Sequence, residues 1–410
     1  MEENISWKIV YLATTFSLLV LGIAYYLIAP HDNTFFSEEK INKIAQFSQT
    51  RIEGRKEGKR SWEFLASQGW TDKQEQITYL KNVKNGLVFN RDEKLTVKQL
   101  VAPLIKIHRK ADLIEALGKP PGSKGKSTLT ALVDMGKMSQ GNDQKADWAR
   151  LQADRIAFFP NEKRAEFAGQ VKLFKKKNTI LANRIDLDSD HKIARLSGEV
   201  IVVRQNGLVT AGQGEYFGDQ EQLNITDKVA LSLQENKIKS IINCHQATIY
   251  NDTQKDISFN GQVIAQQGKK LARGNTGIYS SQKKTLLLEG QTETILEKGA
   301  DILNKQAVTH LDNPDVKELL KNKTVVLADK ITFSTKTGDA KAVGNVFVTQ
   351  KGKEAKATTA DYNDNNETLT LTGNVFLKRG QDWLECREVI ISINKETFEA
   401  LGVNQSKLSF

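Results

Sequence analysis

A glycine stands at residues 169, 198, 261, 290, 344, 373 and 402, and four of the intervals between neighbours are 29 residues long. From Gly198 the next step of 29 lands on Asp227, where Asp replaces Gly in an otherwise matching frame. The flanking text recurs as well: Gly169-Gln-Val171, Gly198-Glu-Val200, Gly261-Gln-Val263, Gly344-Asn-Val346 and Gly373-Asn-Val375. A fixed period of this size marks a repeat architecture, in which no unit buries its apolar face alone. Turn chemistry divides each period in two, as at Asp188-Ser-Asp190, Asn251-Asp252, Thr337-Gly338-Asp339 and Asn363-Asp-Asn-Asn366. Such clusters between alternating runs are hairpin signals, so each unit reads as strand, polar turn and a second strand carrying the glycine.

Along the glycine strand the periodicity is two. Phe167, Gly169, Val171 and Leu173 share a face, as do Leu196, Gly198, Val200 and Val202. Phe259, Gly261 and Val263 repeat the pattern, followed by Leu369, Leu371, Gly373, Val375 and Leu377. Phe333, Val346 and Val348 extend the same rows, while Glu166, Lys172, Thr370 and Asn374 lie opposite. This is a sheet with one apolar and one wet face. A glycine on the apolar row weakens a strand unless the backbone bends there or another surface comes close. Repeated at Gly169, Gly198, Gly261, Gly290, Gly344, Gly373 and Gly402, it predicts a crease that folds the sheet into a V or flattened barrel. Spacing alone leaves two interiors open, a packed core and an apolar trough.

The register breaks between Gly290 and Gly344, 54 residues where two periods give 58. Asp301–Lys323 has helical spacing around Pro314, so 297–323 reads as a helical insertion that covers an edge or divides the stack. Gly118–Lys126 is rich in Gly, Pro, Lys and Ser and reads as a loop opening an insertion that runs to about Asp147. Ile9–Ala29 is 21 residues without a charge, enough to span a bilayer core as a retained anchor. The divisions are then a tail 1–8, a transmembrane anchor 9–29, a polar, partly helical spacer 30–60, a first β segment 61–147, β repeats 148–296, the insertion 297–323 and C-terminal β repeats 324–410. Flanking lysines do not decide orientation; the short tail before a long polar domain suggests that the domain is exported.

Chemistry is sparse. The five histidines are scattered, without metal-ligand spacing, and no nucleophile elbow occurs. Gly118–Thr128 imitates a phosphate-binding loop, but six residues separate Gly118 from Gly125 where four are needed. No enzyme, metal or cofactor is expected. The net charge of +10 suits either a solvated lysine-rich exterior or anionic headgroups; 7% aromatics behind a membrane span argue against nucleic acid. Cys244 and Cys386 lie about five repeats apart, on the order of 24 Å along a stack, so both are expected to be free and inward-facing.

Gly58-Lys-Arg-Ser-Trp62-Glu63-Phe64-x-Ala66, with Leu80-x-x-Val83-x-x-Gly86-x-x-Phe89, resembles the start of the periplasmic domain of LptC-type proteins. The repeats resemble the LptA/OstA-type β-jellyroll, most clearly in Ala328–Phe347 and Ala360–Leu377. The resemblance implies an all-β, elongated bent β-jellyroll (β-taco) stack of antiparallel hairpins behind one N-terminal transmembrane helix. It implies an inner-membrane, single-pass protein whose main domain is periplasmic and whose groove conducts the acyl chains of lipopolysaccharide or a related glycolipid. Its partners would be an LptB/LptF/LptG-type ABC transporter and an LptA-type bridge protein joined by edge-strand pairing. The chain departs from the short LptC form in length and in its two insertions. A structural β-stack scaffold and a carrier of another envelope lipid are the alternative readings.

Overall fold

The computed structural model describes residues 43–407, apart from 73–75, 91, 119–128, 135–147, 176–177, 189–190, 205–206, 236–237, 253, 269, 297–322, 351, 394 and 396. Its frame is one sheet of 23 strands in which every pairing is antiparallel. The first four strands are long: β1 (Lys43–Lys56), β2 (Lys59–Asp72), β3 (Ile77–Phe89) and β4 (Leu95–His108). Four short ones follow: β5 (Leu113–Leu117), β6 (Leu129–Asp134), β7 (Trp148–Ala153) and β8 (Arg155–Phe159). The regular repeats begin with β9 (Arg164–Lys175), β10 (Asn178–Asp188), β11 (Ile193–Arg204), β12 (Gly207–Phe217) and β13 (Gln222–Glu235). They continue as β14 (Ile238–Tyr250), β15 (Ile257–Gln267), β16 (Lys270–Ser280), β17 (Thr285–Leu296) and β18 (Thr324–Ser334). The last five are β19 (Ala340–Gln350), β20 (Lys353–Asn363), β21 (Thr368–Arg379), β22 (Asp382–Ser392) and β23 (Thr397–Lys407).

From β9 onward each strand pairs with the next, so the hairpins pile in chain order as the period requires. The short strands are halves of bent rungs. β5 and β6 share the flank of β4, and β8 and β7 share the flank of β9, with Asp154 at the corner between them.

The bend is built by bulges. In each pairing from β9 to β22 the register slips near mid-strand, with one more residue on the strand of the 29-residue frame, which carries the glycine everywhere but at β13, as between Thr372 and Val375 of β21 against Glu388 and Cys386 of β22. An extra residue bends its strand and sharpens the local twist. The glycine of the pattern occupies the left-handed region, φ +84° at Gly344, and the next residue does too, φ 46° at Asn345. An L side chain at Gly344 would also collide with Asp329 on the neighbouring strand, whose carboxylate accepts a 2.9 Å hydrogen bond from Asn345 Nδ2. The glycines therefore stand at the turned corner, not under a closely approaching inner surface. At the exception the roles are exchanged: Asp227 adopts φ 66°, and the residue facing it on β12 is Gly212. One side chain fits at each corner, and either strand supplies it.

Several sequence expectations change. Residues 43–56 of the supposed spacer form β1. The stretch from Gly118 to Asp147 is not one excursion, because Leu129–Asp134 returns to the sheet as β6. The segment 297–323 does not divide the stack: β17 and β18 pair directly, from Leu296–Thr324 to Thr285–Ser334. Gly290 and Gly344 are consequently one hairpin apart, with the extra residues inserted at a strand end. The helical character of 297–322, the part of the spacer before residue 43 and the anchor at 9–29 lie outside the described residues. Among the described residues no helix is long and apolar enough to cross a membrane. The apolar cluster runs from Phe64 to Ile393 without a break at 147/148 or 296/324.

Candidate functional site

Folding at the corners turns one face of every strand inward. Phe167, Val171, Leu173, Leu196, Val200, Val202, Phe259, Val263, Phe333, Val346, Val348, Leu369, Leu371 and Val375 are all buried on it. Leu377 is half-buried. The alternate strands contribute as well, through Ile180, Ile185, Val209, Ile242 and Val389. Thr370 and Asn374 lie on the outer face, as the alternation requires.

The interior is not an open trough along its length. Between Leu173, Ile180, Ile185 and Leu196 the free space is about 10 Å³, at the limit for a single water. The side chains of the two walls meet there, so the mid-stack is a packed core. At the C-terminal end the walls part. A cavity of about 350 Å³ opens between Val348, Ala355, Leu377 and Leu384 on one wall and Ile391, Thr397 and Phe398 on the other. That volume is in the range of small-ligand pockets, roughly 300–1,000 Å³. Lys353, Lys378 and Arg379 edge it, together with Glu354 and Asp382. Trp383 stacks on Phe376 beside it, ring centroids 6.2 Å apart. Beyond it β23 has β22 as its partner, and Phe398 and Val403 are about half exposed.

Both cysteines are free and buried, as expected from their separation. Burial raises the Cys244 thiol to about 11, against hydrogen bonds from its surroundings that lower it, and burial raises Cys386 as well. Neither thiol is ionised near neutral pH. Among the described residues no group of three or more His, Cys, Asp or Glu is placed to hold a metal.

Two sets of residues escape a reading based on apolar alternation. One is the corner row that faces the glycines, Asp154, Asn183, His245, Asn275 and Asp329. Its signal is a polar residue 15 or 16 positions before each glycine, half the period. The other is a set of polar side chains where the hairpin turns of the two walls come together. Lys175 Nζ donates to Tyr216 Oη at 3.0 Å, and Lys284 pairs with Glu235 at 2.8 Å. Lys270 pairs with Asp364 at 2.6 Å and donates to the Gly338 carbonyl. These contacts cross the fold, so no local motif announces them.

Residues 241–397 match a family model described as the LptA/(LptD N-terminal domain) LPS transport protein. The matched stretch runs from within β14 to the first residue of β23 and contains every residue lining the cavity except Phe398. It describes a transport protein rather than an enzyme. Among solved structures the chain is similar to LptH, the LptA-homologous periplasmic component of the conserved lipopolysaccharide transport device from Pseudomonas aeruginosa. Identity is 15%, over 28% of this chain and 82% of that one, with a TM-score of 0.25. No curated protein matches the chain.

Proposed function

We propose that this chain is a non-enzymatic periplasmic bridge that conducts the acyl chains of lipopolysaccharide along the inner face of its folded sheet. The observation that carries the reading is the C-terminal cavity. It is apolar, edged by lysine and arginine, continuous with the buried inner rows, and inside the segment similar to an LPS transport family. Exposing a tail of about a dozen methylenes to water costs on the order of 10 kcal/mol, so a carrier needs an apolar lining at each step. The inner rows from Phe167 to Leu377 provide one once the walls separate. Residues 9–29 would hold the chain in the inner membrane beside an LptB/LptF/LptG-type transporter, and the exposed edge of β23 would pair with an LptA-type strand.

A photo-crosslinking residue at Leu377 or Leu371 is expected to capture lipopolysaccharide in cells, whereas one at Thr370 is not. Equal labelling from both faces would reject the assignment. The packed mid-stack favours a second reading, a structural β-stack without cargo. Absence of capture from Leu377 as well as Leu371 would establish it.

A further inference from the structure

Most of the polar contacts between the two walls follow one pattern. Apart from the half-strands β5, β6 and β7, turns that follow odd-numbered strands lie on one rim of the folded sheet, and turns that follow even-numbered strands lie on the other. Lys175, at the turn from β9 to β10, reaches Tyr216, at the turn from β12 to β13. Glu235, ending β13, pairs with Lys284, between β16 and β17. Gln267 and Lys270 flank the turn from β15 to β16 and reach the Ser334 and Gly338 carbonyls around the turn from β18 to β19. At the other end Lys56, after β1, pairs with Asp112, after β4, at 3.3 Å. These links join a turn to the opposite turn three strands further on, and Lys270 also reaches Asp364, at the turn from β20 to β21, five strands on. A recurring offset of this kind is what a twisted sheet produces when its halves close face to face.

Lys56 apart, these are buried or half-buried contacts. The Lys270 side chain is 7% exposed, and Lys284 and Glu235 are 24% and 18% exposed. Separating the walls forfeits these charge-assisted hydrogen bonds, which opposes opening. The 350 Å³ cavity lies at the rim beside the turn from Arg379 to Asp382.

We infer that the cross-rim row is a latch that holds the two walls shut over the apolar rows, and that cargo reaches the mid-stack when its links release in succession from the C-terminal end. The cargo half of this statement rests on the conduit reading above; the latch half does not. The full chain carries its own reporter, since Cys244 is enclosed within the latched region.

The test is charge reversal of one link. Glu235→Lys sets two cations against each other; Glu235→Lys with Lys284→Glu restores an opposite pair in reversed order. N-ethylmaleimide labelling of Cys244, in a Cys386→Ser background, is expected to rise about tenfold in the single variant and to return to the parental rate in the double variant. Capture of lipopolysaccharide by a photo-crosslinking residue at Val263 is expected to follow the same order. Unchanged labelling in the single variant, or faster labelling that the double variant does not reverse, overturns the latch. Faster labelling with capture at Leu377 and none at Val263 overturns its control of access. Faster, rescued labelling with no capture at either position supports the latch and removes the conduit reading instead.

Discussion

The two ends of the stack are made from the same kind of hairpin and finish differently. At the N-terminal end β1 is drawn over the sheet: Phe47 lies on Gly69, and the Trp62 indole fills the place where Gly54 has no side chain. Trp62 stacks on Phe64 at 5.1 Å, and Lys56–Asp112 and Arg51–Glu63 tie the covering strand down. At the C-terminal end β23 carries Phe398 and Val403 half in solvent, and the walls stand apart over the cavity. An aromatic residue over a glycine closes one end, and its absence beside Phe398 leaves the other open. Closure is therefore a property of particular side chains and not of the repeat.

The largest expected effects separate these ends. Phe64 is fully buried, so Phe64→Ala is expected to cost about 3–5 kcal/mol in chemical denaturation. Phe398→Ala at the opposite end is expected to stay within about 0.5 kcal/mol. Comparable losses at both ends would mean that β23 is covered in solution and would remove the contrast. The same logic governs charge on the inner row. Leu371 has no exposed surface, and an aspartate there is expected to destabilise by on the order of 4 kcal/mol and compromise folding. Leu377→Asp, facing the cavity, is expected to cost about 1 kcal/mol while lowering lipopolysaccharide capture in the crosslinking assay.

The period made the strand pairs, their chain order and the apolar face legible. Every glycine of the 29-residue frame is left-handed, and all but Gly402 sit at a bulge, because a left-handed corner favours that residue, which is a local constraint and leaves a local mark. The character of the interior left none. Val171 or Val375 reads identically whether the opposing wall touches it or stands away. The decision lies with residues such as Lys175 and Tyr216, 41 positions apart in the sequence. The same limit explains why Leu129–Asp134 was submerged in an insertion: its partners, Val97–Val101 and Ala149–Ala153, are remote in the chain.

Corner substitutions are expected to be intermediate. Gly344→Ala combines a left-handed backbone with a collision against Asp329, and a loss of about 1–2 kcal/mol in thermal or denaturant unfolding is expected. Gly352, also left-handed at φ +74° but with open space around it, should lose only about 1 kcal/mol on the same change. Asp227→Gly should be neutral or stabilise by up to about 1 kcal/mol, because Gly212 already leaves that corner clear. A substantial loss at Asp227 would show that its carboxylate holds the corner through a contact that glycine cannot replace.

The smallest effect tests the contrast between latched and open regions without disturbing either. Cys386 lies two residues from Leu384, which lines the open cavity, whereas Cys244 is enclosed mid-stack. Native-state maleimide labelling is expected to be about tenfold faster at Cys386, since opening near a free end breaks fewer contacts than opening within the stack. Alkaline titration supplies a second measure at Cys244. Its folded-state pKa, about 11, lies above the ordinary 9.0, so the folded state prefers the neutral thiol. The associated stability is complete below pH 9 and is lost as the pH rises towards 11. The melting temperature of the parent should therefore fall towards that of Cys244→Ala across this window. If the difference between the two proteins stayed constant over the window, the Cys244 thiol would be as hydrated as one in the unfolded chain, and the mid-stack would not be closed.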